Sequence, residues 1–294
     1  MADLLPGYGS IEVLGQGARS VIHRVVHQAT GKHYALKRVV RREPDDQRFI
    51  EQVETEYEVC HPLEHAHIRQ CISIHRNKKM LRTVEVLMVM EYIEGLTVEQ
   101  HRPNRLEHFF AIFRKVASGL HALHQSGHVH ADIKPNNILL GRNGVVKVID
   151  FGQSCPIGHR KKRIQGTPDY IAPEQVRRIN LDQRTDVYNL GATMYWALTG
   201  INYPTEIAGT SAADISRADA PRSPREINDK FPLALSQLIM ECCKSNPQDR
   251  PNDMIQVDNR LKTVQNLWRK KLEDLKASKR ASQSAESDGI DLVE

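Results

Sequence analysis

The sequence predicts an α+β fold in two lobes: a small antiparallel sheet with one main helix, then a mostly helical lobe. Two observations point to it. Up to residue 93, apolar residues alternate in short runs broken by Gly-containing turns, the period of half-buried strands, and only one stretch has helical spacing. From residue 94 the apolar positions fall three and four apart over longer stretches, as in helices with one buried face. No segment repeats, so a solenoid or propeller is not expected.

Residues 9–40 read as strand, glycine turn, strand, turn, strand. IEVLGQG leads into the alternating VIHRVVHQ, and TGK turns the chain before HYALKRVV. Residues 45–63 form an acidic helix expected to bury Phe49, Val53, Tyr57 and Cys60. Residues 68–75 and 83–92 are two further strands. LEHFFAIFRKVASGLHALHQSG is a helix with Phe109, Phe113, Val116 and Leu120 on one stripe and Gly127 past its end. Short strands follow near 137–149, then a charged loop, then helices at about 184–199, 232–243 and 251–265. Leu261, Val264, Trp268, Leu272 and Leu275 continue an amphipathic pattern, whereas 280–294 carries no core pattern and is expected to be disordered. The domain is therefore expected over 9–265, with lobes at 9–93 and 94–265, and a helical extension with a disordered tail over 266–294.

The chain has 294 residues, 40% of them hydrophobic, enough for a substantial core. A net charge of +5 is spread along the chain, so a solvated basic surface is expected and a nucleic-acid partner is not. The five cysteines (60, 71, 155, 242, 243) form no CxxC pair, the pattern of free thiols in a reducing compartment. His61 and His65 have the spacing of one helical turn, but no third metal ligand stands out. The N-terminal residues lack a basic-then-apolar signal pattern, and the longest apolar run, VLMVM, is far too short for a bilayer. A cytoplasmic protein without a transmembrane anchor is expected.

Several residues carry chemistry. Gly15 and Gly17 in GQGARSV let the backbone offer N–H groups to phosphates, although a hairpin turn also favours glycine. Lys37 stands in the apolar run YALK, either on an edge strand or buried beside a counter-ion, for which Glu56 is available. In HVHADIKPNN, Asp132 can accept a hydroxyl proton, Lys134 can neutralise charge on a transferred phosphoryl group, and Asn137 can hold a metal through its amide oxygen. Asp150 ends an apolar strand in VVKVIDFGQ and offers another hard oxygen. Either Asp alone fits a turn or a cap equally well; the joint order with Gly15, Gly17 and Lys37 is what points to phosphoryl transfer.

Those motifs, with GTPDYIAPE at 166–174, DVYNLG at 186–191 and NPQDRP at 246–251, resemble eukaryotic-type protein Ser/Thr kinases in order, over about residues 9–265, with a bacterial cast in GTPDYIAPEQ and DVYNLGATMYWALTG. The resemblance implies a bilobal kinase fold, ATP and Mg²⁺ as cofactors, and protein Ser/Thr hydroxyls as substrates. It implies that Gly15 and Gly17 cover the ATP phosphates and that Lys37 holds the α- and β-phosphates while paired with Glu56. It further implies that Asp132 takes the hydroxyl proton, that Lys134 stabilises the γ-phosphoryl group, and that Asn137 and Asp150 bind Mg²⁺. Met90 resembles the gatekeeper, the backbone of Glu91 and Ile93 would bind adenine, and Val21, Ala35 and Leu139 would enclose its ring. Thr167 would sit beside Asp132 and Lys134, and Glu174 would pair with Arg250.

The sequence departs from the family at Ala131, where many relatives carry an arginine that pairs with a phosphate on the activation loop. Each charge-assisted bond of that kind contributes roughly 1.5–3 kcal/mol. Between Gly152 and Gly166 the only hydroxyl is Ser154, and HRKKR occupies 159–163. Activity independent of activation-loop phosphorylation is therefore expected. The alternative is a pseudokinase-type interaction module, to which Ala131 and Ser20, the latter replacing a third glycine, lend support. Cys60 and Cys71 fall where the family stacks larger apolar residues, as small hydrophobes or a redox handle. The 261–275 helix is expected to dock on its own lobe, with dimerisation or partner binding as alternatives.

Overall fold

The computed structural model describes residues 4–17, 19–207 and 221–288. β1 (Tyr8–Gln16), β2 (Ser20–His27), β3 (His33–Val40), β4 (Cys71–Lys79) and β5 (Arg82–Glu91) form an antiparallel sheet in the order β1-β2-β3-β5-β4. The turn from β2 to β3 uses Gly31 at φ 67, a left-handed conformation that costs glycine nothing. β3 lies between β2 and β5, with Lys37 opposite Ile22 on one side and Met88 on the other. An edge-strand position for Lys37 is thereby excluded.

The acidic helix α1 (Gln47–Cys60) packs on this sheet. Its buried face is Ile50, Val53, Glu56, Val59 and Cys60 rather than the expected Phe49–Val53–Tyr57–Cys60 stripe. Phe49 instead lines the cleft, and Tyr57 stacks on His61 with ring centroids 4.6 Å apart, so both stay half-buried. The helix ends at Cys60, so His61 and His65 are not one helical turn apart. His61 Nδ1 lies 3.0 Å from the Cys71 carbonyl, and His65 Nδ1 accepts the His67 N–H. Among the described residues no cluster of three His, Cys, Asp or Glu side chains could hold a metal.

The second lobe contains β6 (Gly95–Thr97), α2 (Leu106–Gln125), β7 (His128–Val129), β8 (Ile138–Gly141), β9 (Val146–Val148), β10 (Cys155–Pro156), α3 (Pro173–Val176), α4 (Gln183–Thr199), α5 (Pro224–Ile227), α6 (Leu233–Cys242) and α7 (Met254–Asp288). β6-β8-β9 and β10-β7 are small antiparallel sheets that carry the loops of the site. α2 buries more than the one predicted stripe: Phe110, Ile112 and Leu123 are covered as well as Phe109, Phe113, Val116 and Leu120. α4 crosses α6 at Gly191, where a Cβ would come within 2.5 Å of the Cys242 side chain, so this contact requires glycine.

The lobes are joined behind the cleft. The Val148 N–H donates to His67 O at 2.8 Å and the Arg69 N–H to Val148 O at 3.0 Å. These bonds tie the segment after α1 to the strand that delivers Asp150.

α7 buries Met254, Val257, Leu261 and Val264, and sets Trp268 6.0 Å from Phe110 of α2. Arg114 and Asp258 clasp the two helices at 2.7 Å. The apolar stripe then leaves the lobe, with Leu275 half exposed. The backbone stays helical through Asp288, into the stretch expected to be disordered, while 289–294 lies outside the described residues. No described helix is long and apolar enough to cross a membrane.

Candidate active site

The cleft lies between the sheet and β8–β9, and a cavity of about 250 Å³ is lined by Ser20, Lys37, Val39, Phe49, Asp132, Lys134 and Asp150 among others. Lys37 Nζ reaches Glu56 Oε2 at 2.6 Å and Asp150 Oδ1 at 3.3 Å. Burial pulls the ammonium pKa down, but the charges of Asp150 and Glu56 outweigh it and the pKa ends above the ordinary value. Lys37 is therefore a fixed cation. It depresses the Asp150 carboxyl to about 2 against the opposing effect of burial, so Asp150 is ionised at neutral pH.

A second cation shares Glu56. Arg69 donates from Nη2 to Glu56 Oε1 at 2.9 Å, and both side chains are buried. A lone buried carboxylate would be costly; here each oxygen has a cation. The sequence offered no signal for Arg69 beyond an arginine at the start of an apolar run. Arg69→Met is expected to destabilise the fold by roughly 1.5–3 kcal/mol, with Arg69→Lys recovering part. Thermal denaturation of the three proteins checks this; equal melting temperatures would show that Arg69 does not support Glu56.

Asp132, Lys134 and Thr167 close a triangle. Thr167 Oγ1 donates to Asp132 Oδ1 at 2.8 Å, and Lys134 Nζ lies 3.0 Å from Asp132 Oδ2 and 2.7 Å from Thr167 Oγ1. Asn137 Nδ2 donates to the Asp132 carbonyl at 2.8 Å, which leaves the amide oxygen as a hard donor.

The loop holding these groups is strained and held from behind. Ala131 has φ 60 and Asp150 φ 64, left-handed conformations that disfavour residues with a Cβ. Asp186, wholly buried at the start of α4, accepts the N–H groups of His130 and Ala131, each at 2.8 Å, and His124 Nε2 lies 2.8 Å from it. Gln175 Nε2 donates to Ala131 O at 2.7 Å. DVYNLG and APEQ are visible in the sequence, but only the fold shows that Asp186 and Gln175 grip the same residue, Ala131, by its N–H and its carbonyl.

At the other end, Met90 and Ala35 are buried neighbours across β3–β5, while Val21, Leu139 and Ile93 are half-buried. The Glu91 N–H is committed to the Gln70 carbonyl at 2.9 Å, so its carbonyl is the backbone group it can offer a ligand. Gly15 and Gly17 lie at the β1–β2 turn, where the Gly17 N–H donates to Ser20 O at 2.8 Å. A Cβ at Gly17 would stand 2.8 Å from Ser20 Oγ, so the serine that replaces a third glycine fills the space beside it. Cys60 and Cys71 are both buried, and burial, with Cys71 alongside, pushes the Cys60 thiol well up, which makes it a poor nucleophile.

The protein kinase domain family matches residues 8–262, and the chain belongs to that family. It is 27% identical over 266 residues to a probable serine/threonine-protein kinase of Clostridium acetobutylicum, covering 87% of this chain and 40% of that protein. It is 32% identical over 263 residues to serine/threonine-protein kinase PknL of Mycobacterium tuberculosis, covering 85% and 64%. To the Aurora kinase of Saccharomyces cerevisiae it is 30% identical over 250 residues, covering 81% and 64%. The chain thus spans 40–64% of the length of these relatives.

Proposed function

We propose that the chain transfers the γ-phosphate of ATP to serine or threonine hydroxyls of proteins, and that it does so without a phosphate on its activation segment. The observation that carries this is the closed Asp132–Lys134–Thr167 triangle beside an intact Lys37–Glu56 pair, on a catalytic loop whose residue 131 is a buried alanine with no charge to offer a phosphate. In the transfer step the substrate hydroxyl oxygen bonds to the γ-phosphorus, its proton passes to the Asp132 carboxylate, and the bond to the β-phosphate oxygen breaks to release ADP. Lys134 stabilises charge on the transferred group, and Lys37 holds the α- and β-phosphates. Gly15 and Gly17 lie over the phosphates. The adenine ring lies between Val21, Ala35 and Leu139, with Met90 behind it and the Glu91 carbonyl and Ile93 N–H along its edge.

The ionised Asp150 and the uncommitted amide oxygen of Asn137 are hard donors, which suits Mg²⁺. Bound there, the ion would offset the phosphate charge. Ser154, the only hydroxyl between Gly152 and Gly166, is buried with an unpartnered Oγ, a poor phosphorylation site. Five free, buried cysteines support a reducing, cytoplasmic setting.

The test is incorporation of labelled phosphate from ATP and Mg²⁺ into a generic basic protein, by enzyme co-expressed with a phosphatase. Transfer is expected to begin without a lag and at a constant rate per enzyme molecule. A lag that shortens as enzyme concentration rises would overturn phosphorylation independence. Nucleotide binding without transfer would favour the interaction-module reading.

A further inference from the structure

The family's usual device for ordering the activation segment is a cation on the catalytic loop and a phosphate on the segment, and this chain has Ala131 in the first place. Ala131 is wholly buried, in one cluster with Val129, Cys155 and Leu181. The segment that covers this cluster is pinned at several points. Cys155 pairs with Val129, the Gly158 N–H donates to Leu181 O at 2.7 Å, and the Leu181 N–H donates to His159 O at 3.0 Å. Just beyond these, the basic run splits. Arg160, Lys162 and Arg163 are exposed, but Lys161 between them is only 8% exposed. Its ammonium turns back and donates to the carbonyl of Gln153, the residue after Asp150–Phe151–Gly152. It makes no ion pair among the described residues.

A lysine has little reason to leave water for one carbonyl unless it ties something down. Burial lowers the Lys161 pKa, while Cys155, Asp132 and Asp186 act the other way, so the ammonium lies in the field of the carboxylates of the catalytic loop and its anchor. Cys155 belongs to the Ala131 cluster, and Lys161 lines one pocket with Cys155 and Gln153. The activation segment thus carries a buried cation of its own beside that cluster.

We propose that Lys161 is a positioning residue, whose bond to the Gln153 carbonyl beside the Ala131 cluster holds the activation segment in its transfer-competent path without a phosphate. An arginine at position 131 would set a second cation against it, which is why a small residue suits that position. This rests on the kinase reading above and names what would make it phosphorylation-independent.

The experiment compares dephosphorylated wild type with Lys161→Met, Lys161→Arg, Lys161→Glu, Ala131→Arg and the double variant A131R/K161E. Each is assayed on one Ser/Thr peptide, with limited proteolysis of the segment and a melting curve. K161M is expected to lose at least about tenfold in kcat, as misplacement of a reacting group does, with KM for ATP within about twofold and faster cleavage between 153 and 165. K161R should retain activity. Ala131→Arg and K161E should each lower activity, and A131R/K161E should not recover, because a carboxylate cannot donate to the Gln153 carbonyl. K161M or K161E at wild-type rate, or a double variant restored to wild-type rate, would overturn the proposal. A lag in the dephosphorylated wild type would instead overturn phosphorylation independence itself, so the two failures are told apart.

Discussion

Asp132→Asn is expected to lower phosphoryl transfer by about 10²–10⁴-fold, the usual contribution of a positioned base. The substitution is nearly isosteric. Thr167 can still donate to an amide oxygen, and Asn137 bonds the main chain of residue 132 rather than its carboxylate alone. What is lost is the proton acceptor and the negative charge that holds Lys134 at 3.0 Å. The groups proposed to hold the nucleotide, Lys37, Asp150 and residues 90–93, are untouched, so KM for ATP should stay within about twofold, the signature of an interaction made in the transition state. Single-turnover transfer with saturating ATP separates this from a binding defect. A variant that keeps more than about a tenth of wild-type transfer would remove Asp132 from the role of base.

The fold was legible because its local signals agree with one another. Alternating runs with glycine turns marked β1–β3, and the Phe109–Phe113–Val116–Leu120 stripe marked α2. On α1 Val53 and Cys60 are buried as expected, but Phe49 and Tyr57 are not part of the buried face. Periodicity alone makes Phe49 and Tyr57 as good as Ile50, and what decides is that Phe49 meets the cleft and Tyr57 meets His61. The helix α7 was expected as far as Leu275; beyond it no core stripe marks the sequence, and local helix propensity continues the backbone through Asp288.

Within the site, groups that fall in the family's motifs could be named from the chain, including Thr167 beside Asp132 and the Lys37–Glu56 and Glu174–Arg250 pairs, and the contacts outside that pattern could not. Asp132, Lys134 and Asn137 lie within six residues of one another, and the structure brings Thr167 to them from 35 residues away. Arg69 and Lys161 gave no such warning, and DVYNLG marked Asp186 without its partner. Each gains its role by being buried against a group that sequence distance hides: 13 residues for Arg69 to Glu56, 55 for Ala131 to Asp186, 8 for Lys161 to Gln153. Charge in a sequence is presumed solvated until burial shows otherwise.

Burial also sets the largest expected stability effect, at Arg250. All five of its N–H donors are used: two on Glu174 at 2.7 and 2.9 Å, and one each on the carbonyls of Arg184, Lys244 and Ser245. Its guanidinium also lies 4.9 Å from the Tyr188 ring centroid. Glu174 opens α3, directly after the segment that carries Thr167, so this pair fixes that segment to the helical lobe. Arg250→Met leaves Glu174 buried and unpaired and strips three carbonyls of their donor. Breaking a buried pair from one side costs about 3–5 kcal/mol. For a chain of this size that is a melting temperature lower by roughly 10 °C. The double variant E174M/R250M should melt no lower than R250M alone, because it removes the stranded carboxylate along with the cation. Calorimetry on the three proteins decides it. A melting temperature for R250M within about 2 °C of wild type would mean that the Glu174–Arg250 pair contributes little to the stability of the lobe.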